Sequence, residues 1–375
     1  MEYFFTTQQM CVGYQKKPLI RDIEIRLKKG EILTLIGPNG AGKSTILKSI
    51  AKQLSLIGGV VCLGKEDLAR MSGQRLAQRM AVVFTERMRT ELMTCEDVVA
   101  TGRYPYTGRF GLLSGQDSAV VREAMELVHV AELKDREFSR ISDGQRQRVM
   151  LARAICQEPE IIILDEPTSY LDVKYKLEFL SVLQEMRQKK GLTVIMSLHE
   201  LELAAKISDR VLCIGGEYVD RFGEPEEIFV PGYLTRLFHI SAGSFDEESG
   251  DLELEPSGGR PDVFVIAGGG TGRSTFRRLQ RQGTAFISGI LFENDLDYPV
   301  ARALAVEVIA AESFEPVPSA LLAKARQRMD GCSRVICCRD HFGSLEQANR
   351  ELLSYAKETG KQVEMRKEEK TKWQR

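Results

Sequence analysis

Gly37, Pro38, Asn39, Gly40, Ala41, Gly42, Lys43, Ser44 and Thr45 read GPNGAGKST, a Gly-x-x-x-x-Gly-Lys-Ser phosphate loop, and its flanks are the ones this motif requires. EILTLI (31–36) ahead of it reads as a buried strand. STILKSIAKQL (44–54) behind it reads as a helix with Ile46, Leu47, Ile50 and Leu54 on one face. A triphosphate must bring several negative charges against a backbone able to neutralise them. Glycines at 37, 40 and 42 let the chain curl and aim its N–H groups at the phosphates above a helix N-terminus. In that setting Lys43 reaches the β and γ phosphates and the Ser44 hydroxyl ligates Mg²⁺, so the expected ligand is ATP or GTP.

A chain of 375 residues exceeds one ordinary core, and two domains are expected. The net charge of -1 gives no global attraction to nucleic acid or anionic lipid. No stretch approaches the about 18 apolar residues that a membrane span needs, and MEYFFTTQQM lacks the basic start and apolar core of a signal peptide, so a cytoplasmic location is expected. The eight cysteines lie scattered, mostly in apolar stretches and without Cys-x-x-Cys spacing, which reads as reduced thiols rather than a metal site or disulfides.

Over residues 1–240 apolar runs (IEIRL, ILTLI, MAVVF, IIIL, TVIMSL, RVLCI) alternate with helical segments, the pattern of an α/β domain. Residues 241–260 are acidic and rich in Gly and Ser, a linker in which the alternation over 251–255 permits a short hairpin. Residues 261–365 again alternate strands (VFVIAGGG, TAFISGILF, AVEVIAA, RVICC) with helices, a smaller Rossmann-like α/β domain. The sequence from GKQVEM onward, with 366–375 at its end, reads as a frayed charged tail.

A phosphate loop alone suits kinases, GTPases and motors. IIILDE (161–166) narrows the choice, because a strand ending in two carboxylates places Asp165 beside Mg²⁺ and Glu166 where it can orient and deprotonate water. Between the two motifs, ISDGQRQRVMLARAI (141–155) is a polar turn entering a helix, with Val149, Ala152 and Ile155 on one side. This segment resembles the signature of ATP-binding cassette (ABC) proteins, usually written LSGGQ, and the resemblance extends over nearly all of residues 1–240. It implies a nucleotide-binding domain with a RecA-like core and a helical subdomain. It also implies a head-to-tail homodimer that sandwiches two ATP molecules, with Ser142, Gly144 and Gln145 contacting the γ-phosphate of the other subunit. Tyr14 matches the aromatic that stacks on adenine, Ser169–Asp172 the loop linking the two sites, and His199 the γ-phosphate sensor. Lys43, Glu166 and His199 are the expected catalytic residues. Ser44, Asp165 and Glu86 are the expected metal ligands.

Two departures stand out. Where the family carries a glutamine after its third strand, this chain has Thr85 with Glu86 beside it; either Glu86 supplies an oxygen to Mg²⁺ or the loop acts mainly in coupling. Asp143 replaces the first signature glycine, from which we expect hydrolysis to survive with weaker closure of the sandwich. LMTCEDVVATGRYPYTG (92–108) resembles the helical-subdomain entry of cassettes that energise uptake of iron-siderophores, haem or cobalamin. The implied partners are a separate membrane permease and an extracytoplasmic binding protein, with the cassette on the cytoplasmic face of the membrane. The alternatives are a soluble non-transport ABC ATPase and a nucleotide-dependent regulator; Glu166 argues against a regulator that only binds. In the second domain AGGGTGRST (267–275) resembles a degenerate phosphate loop or a dinucleotide turn, with a plain strand-to-helix turn as the other reading.

Overall fold

The computed structural model describes residues 2–84, 92–108, 111–247 and 250–366. The chain divides into two compact units, Met1–Phe238 and His239–Arg375.

The first unit is built on an 11-stranded sheet. Its centre is parallel: Met80–Val83, Ile161–Asp165, Thr193–Ser197, Ile32–Ile36 and Arg210–Gly215 lie side by side in that order. Ile32–Ile36, Ile161–Asp165 and Thr193–Ser197 are buried at every position, as expected of central parallel strands covered on both faces. Tyr218–Gly223 turns back antiparallel, and beyond it follow Lys17–Ile23, Phe5–Tyr14, Gly58–Leu63 and, at the edge, Glu66–Asp67. IEIRL, expected as one strand, is split: a strand ends at Ile23, and Arg26–Leu27 pairs separately with the start of Phe5–Tyr14. The helices Cys95–Ala100, Gly115–Leu127 and Asp143–Cys156 pack on one another as a helical subdomain.

The second unit is a parallel five-stranded sheet in the order Glu307–Ala311, Phe286–Phe292, Val263–Ile266, Arg334–Cys337, Gln362–Met365. Apolar clusters line both faces, one around Phe264, Ile309, Met329 and Leu352, the other around Val265, Phe276, Phe286 and Leu304, so the unit is doubly wound. Two expectations need correction. Gln362–Met365, read as the start of the frayed tail although inside the bounds 261–365, is an edge strand, because it pairs in parallel with the open side of Arg334–Cys337. Residues 241–260, read as a linker with a short hairpin permitted over 251–255, do carry a hairpin, Ser244–Phe245 pairing antiparallel with Leu252–Glu253, but they fasten to the second unit, where Arg277 Nε donates to Glu253 at 2.9 Å. All eight cysteines are free and six are buried.

Candidate nucleotide site

Sheet register assembles the site. Leu35, Ser197 and Asp165 lie laterally opposite one another on three adjacent strands, so the segments leaving those strands start from one line. From Ile36 the chain enters the glycine loop, where Gly40 and Gly42 hold φ of 79° and 99°. At Gly42 a Cβ would also sit 2.7 Å from Ile20 Cδ1, and at Gly37 one would sit 2.6 Å from the Ile214 carbonyl oxygen, so the loop accepts no side chains there. The helix Lys43–Ile50 follows, somewhat shorter than its sequence pattern. Lys43 Nζ reaches back to the carbonyls of Gly37 (2.7 Å) and Pro38 (3.1 Å). Burial pulls its pKa below the ordinary value, against the attraction of Glu166 and Asp165.

Ser44 Oγ donates to Asp165 Oδ1 at 3.1 Å, which brings together the two hard oxygens that a Mg²⁺ on a triphosphate takes from a protein. Among the described residues no group of three or more His, Cys, Asp or Glu forms a metal cage. Glu166 follows Asp165 with φ of 50°, a strained conformation for a residue with a Cβ. Its carboxylate Oε1 lies 2.6 Å from His199 Nε2. Lys43, Ser44, Asp165, Glu166 and His199, far apart in sequence, are thus one constellation.

Sequence reasoning missed Ser197 and Glu200. Ser197, fully buried, donates to Asp165 Oδ1 (2.7 Å) and accepts from Glu166 N (2.9 Å). Glu200 accepts from Thr168 Oγ1 (2.8 Å) and Lys176 Nζ (2.7 Å), tying the His199 segment to the chain after Glu166. Burial works to raise the Glu200 pKa, but those two bonds together with the Lys176 charge and a backbone hydrogen bond leave the net shift downward. A polar residue closing an apolar strand two positions before His199 was the available signal for Ser197.

Tyr14, half exposed, places its hydroxyl 3.1 Å from Thr45 Oγ1 beside the phosphate loop. Asn39 is exposed at the loop tip, and Ala41 N closes the turn onto Pro38 O at 3.2 Å. Ser142 and Gln145 bond each other reciprocally as a capping box at the head of Asp143–Cys156, so their hydrogen bonds stay in their own turn. Asp143 pairs with Arg146, which balances its charge locally. At Gly144 a Cβ would come within 3.3 Å of Tyr170 O, in the segment Ser169–Asp172. Thr85 and Glu86 lie outside the described residues.

In 92–108 the Arg103 guanidinium is buried. It bonds Asp117 (2.9 Å), Glu158 (2.8 Å) and Cys156 O (2.9 Å) and stacks 4.1 Å from the Tyr106 ring. Gln74 and Gln78 both donate to Pro105 O. The segment therefore ties the helical subdomain to the parallel core.

The loop at 267–272 is different. Gly268 N and Gly272 N donate to Asp297 Oδ2, each at 2.9 Å, Arg273 N donates to Asp297 Oδ1 at 3.1 Å, and Gly269 N donates to Asp295 at 2.8 Å. The amides that would face a phosphate are held by the protein's own carboxylates. Of the two readings of AGGGTGRST, this arrangement favours the strand-to-helix turn.

Residues 20–169 match the ABC transporter family and residues 286–374 the MJ0874 family. An uncharacterised ABC transporter ATP-binding protein of Methanocaldococcus jannaschii is 39% identical over 76% of this chain and 99% of its own length. An iron(3+)-hydroxamate import ATP-binding protein of Bacillus subtilis is 35% identical over 63% of this chain and 88% of its own. A cobalamin import ATP-binding protein of Halobacterium salinarum is 30% identical over 82% of this chain and 78% of its own, a span longer than the first unit. Among solved structures, an ABC transporter described as of the metal-chelate type and inward-facing is 27% identical, with a TM-score of 0.57 over 67% of this chain and 96% of that one.

Proposed function

The chain belongs to the ATP-binding subunits of ABC transporters, and on that premise we propose that it is the ATPase that drives import of a metal chelate, an iron-siderophore, haem or cobalamin, through a separate membrane permease. The observation that carries the enzymatic part is the Glu166–His199 pair at 2.6 Å, set beside Lys43 and the Ser44–Asp165 oxygens.

In this reading Lys43 and the loop amides bind the β and γ phosphates, with Tyr14 against the base. Ser44 and Asp165 would hold Mg²⁺, which neutralises phosphate charge when bound. Glu166 positions the attacking water and takes its proton, and His199 fixes the Glu166 carboxylate and faces the γ-phosphate. Ser142, Gly144 and Gln145 of a second copy close over the same triphosphate. ATP thus favours the closed dimer, its products do not, and that difference in affinity is the work delivered to the permease. The 92–108 segment, tied to the core through Arg103, suits the place where the permease docks. An extracytoplasmic binding protein completes the system, and the cassette sits peripherally on the cytoplasmic face. The chelate class rests on the relatives' activities and on the GRYPY segment.

The test has two arms. Purified protein should hydrolyse ATP with Mg²⁺, and Glu166→Gln should cut turnover by at least ~10²-fold while leaving ATP binding in place. Cells lacking the chain should lose uptake of one labelled chelate and regain it with the wild type but not with Glu166→Gln. Full uptake of every chelate without the chain would remove the transport reading.

A further inference from the structure

Ser197 is the hydroxyl that ends the apolar strand Thr193–Ser197, and it has no exposed surface. A buried hydroxyl is unfavourable unless its hydrogen bonds are made, and this one makes two. It donates to Asp165 Oδ1 at 2.7 Å and accepts from the Glu166 amide at 2.9 Å. Its strand lies between the one that delivers the phosphate loop and the one that delivers both carboxylates, with Leu35, Ser197 and Asp165 in register. Ser44 Oγ reaches the same Asp165 oxygen at 3.1 Å. One side chain therefore fixes the rotation of the Asp165 carboxylate and holds the Glu166 amide in its strained conformation, on the strand that leads to His199.

We infer that Ser197 is a positioning residue that sets Asp165 for its cation and holds Glu166 in register with the phosphate loop. The inference rests on the assignment of Asp165 to Mg²⁺ above. Its consequence is specific: the part of ATP affinity that depends on Mg²⁺ depends on Ser197, and the part that does not is independent of it.

The experiment measures ATP affinity by calorimetry on the full chain, once with Mg²⁺ and once with chelator. The variants are Ser197→Ala, Ser197→Cys and Ser197→Thr, with Asp165→Asn as control. Losing one such hydrogen bond should reduce the Mg²⁺-dependent gain in affinity about 3- to 10-fold in the Ala and Cys variants, with chelator values unchanged. Ser197→Thr keeps the hydroxyl and should keep the gain. If Ser197→Ala does not fold, Ser197→Cys fills the volume with a poor hydrogen-bonding group and carries the test. A wild-type Mg²⁺ gain in the Cys variant overturns the inference. So does an equal loss of affinity with and without Mg²⁺, which would mark a purely structural residue. If Asp165→Asn itself retains the full gain, the metal assignment fails, and the role of Ser197 falls with it.

Discussion

The two units each carry a glycine loop between a buried strand and a helix, and the loops end up doing different things. In the first, Gly37–Lys43, no described carboxylate takes a loop amide; Asp165 instead accepts from the hydroxyls of Ser44 and Ser197. In the second, Asp297 and Asp295 arrive from the following strand's loop and take the amides of Gly268, Gly269, Gly272 and Arg273. A loop of N–H groups at a helix start attracts an anion whatever its source. What separates a substrate site from a structural turn is whether the chain supplies that anion itself.

The largest difference between the two loops is expected when their matched cations are removed. Lys43→Ala should abolish measurable ATP turnover, a loss of ~10²-fold or more, whereas Arg273→Ala should leave steady-state turnover at the wild-type level. Next comes Asp297→Ala, which strands two buried amides and a partly buried one and should cost the second unit about 2–4 kcal/mol in denaturant unfolding, without creating a second nucleotide site in equilibrium binding.

Acid sharpens the contrast by a smaller amount. Hydrogen bonds from the Ser114 side chain and backbone, then from Arg103, hold the Asp117 pKa at about 2 against an ordinary 3.8. A depressed carboxylate stabilises above its unfolded pKa, so this contribution in the first unit should fade as pH falls from about 4 towards 2. Burial pushes Asp297 upward, with Asp295 adding to it. Its contribution is present in acid and declines as pH rises through its folded value. Amide exchange followed unit by unit across the acid range should therefore show the Arg103 region opening before the 267–272 turn. The smallest effect is expected at Asp143→Gly: because Arg146 already balances that charge, ATP-driven association should change by no more than a few-fold, while Arg146→Ala should weaken it further than Asp143→Gly strengthens it.

The sequence made the first unit legible because its chemistry is written in short motifs on strands of unbroken hydrophobicity. Gly37–Thr45, Asp165–Glu166 and His199 could be found without coordinates. Ser197 and Glu200 could not be found the same way, since their roles come from partners 24 to 32 residues away in the chain, Asp165 and Glu166 for Ser197, Thr168 and Lys176 for Glu200. Asp297 hid for a related reason: an acid in a loop says nothing of which amides it will meet. Gln362–Met365 carries too little apolar periodicity to stand out from a charged tail, and it becomes a strand because Arg334–Cys337 offers it an open edge. The acidic stretch was misread as linker because composition does not register a partner such as Arg277.

In the proposed mechanism each site is half of a shared one, with Ser142–Gln145 of one copy covering the Lys43 phosphate loop of another. Sedimentation of the Glu166→Gln protein with and without Mg-ATP decides whether the halves meet. A dimer is expected with nucleotide, a monomer without it, and loss of the dimer when Ser142→Arg is added; a Glu166→Gln protein that binds Mg-ATP to saturation and still sediments as a monomer would rule the shared site out.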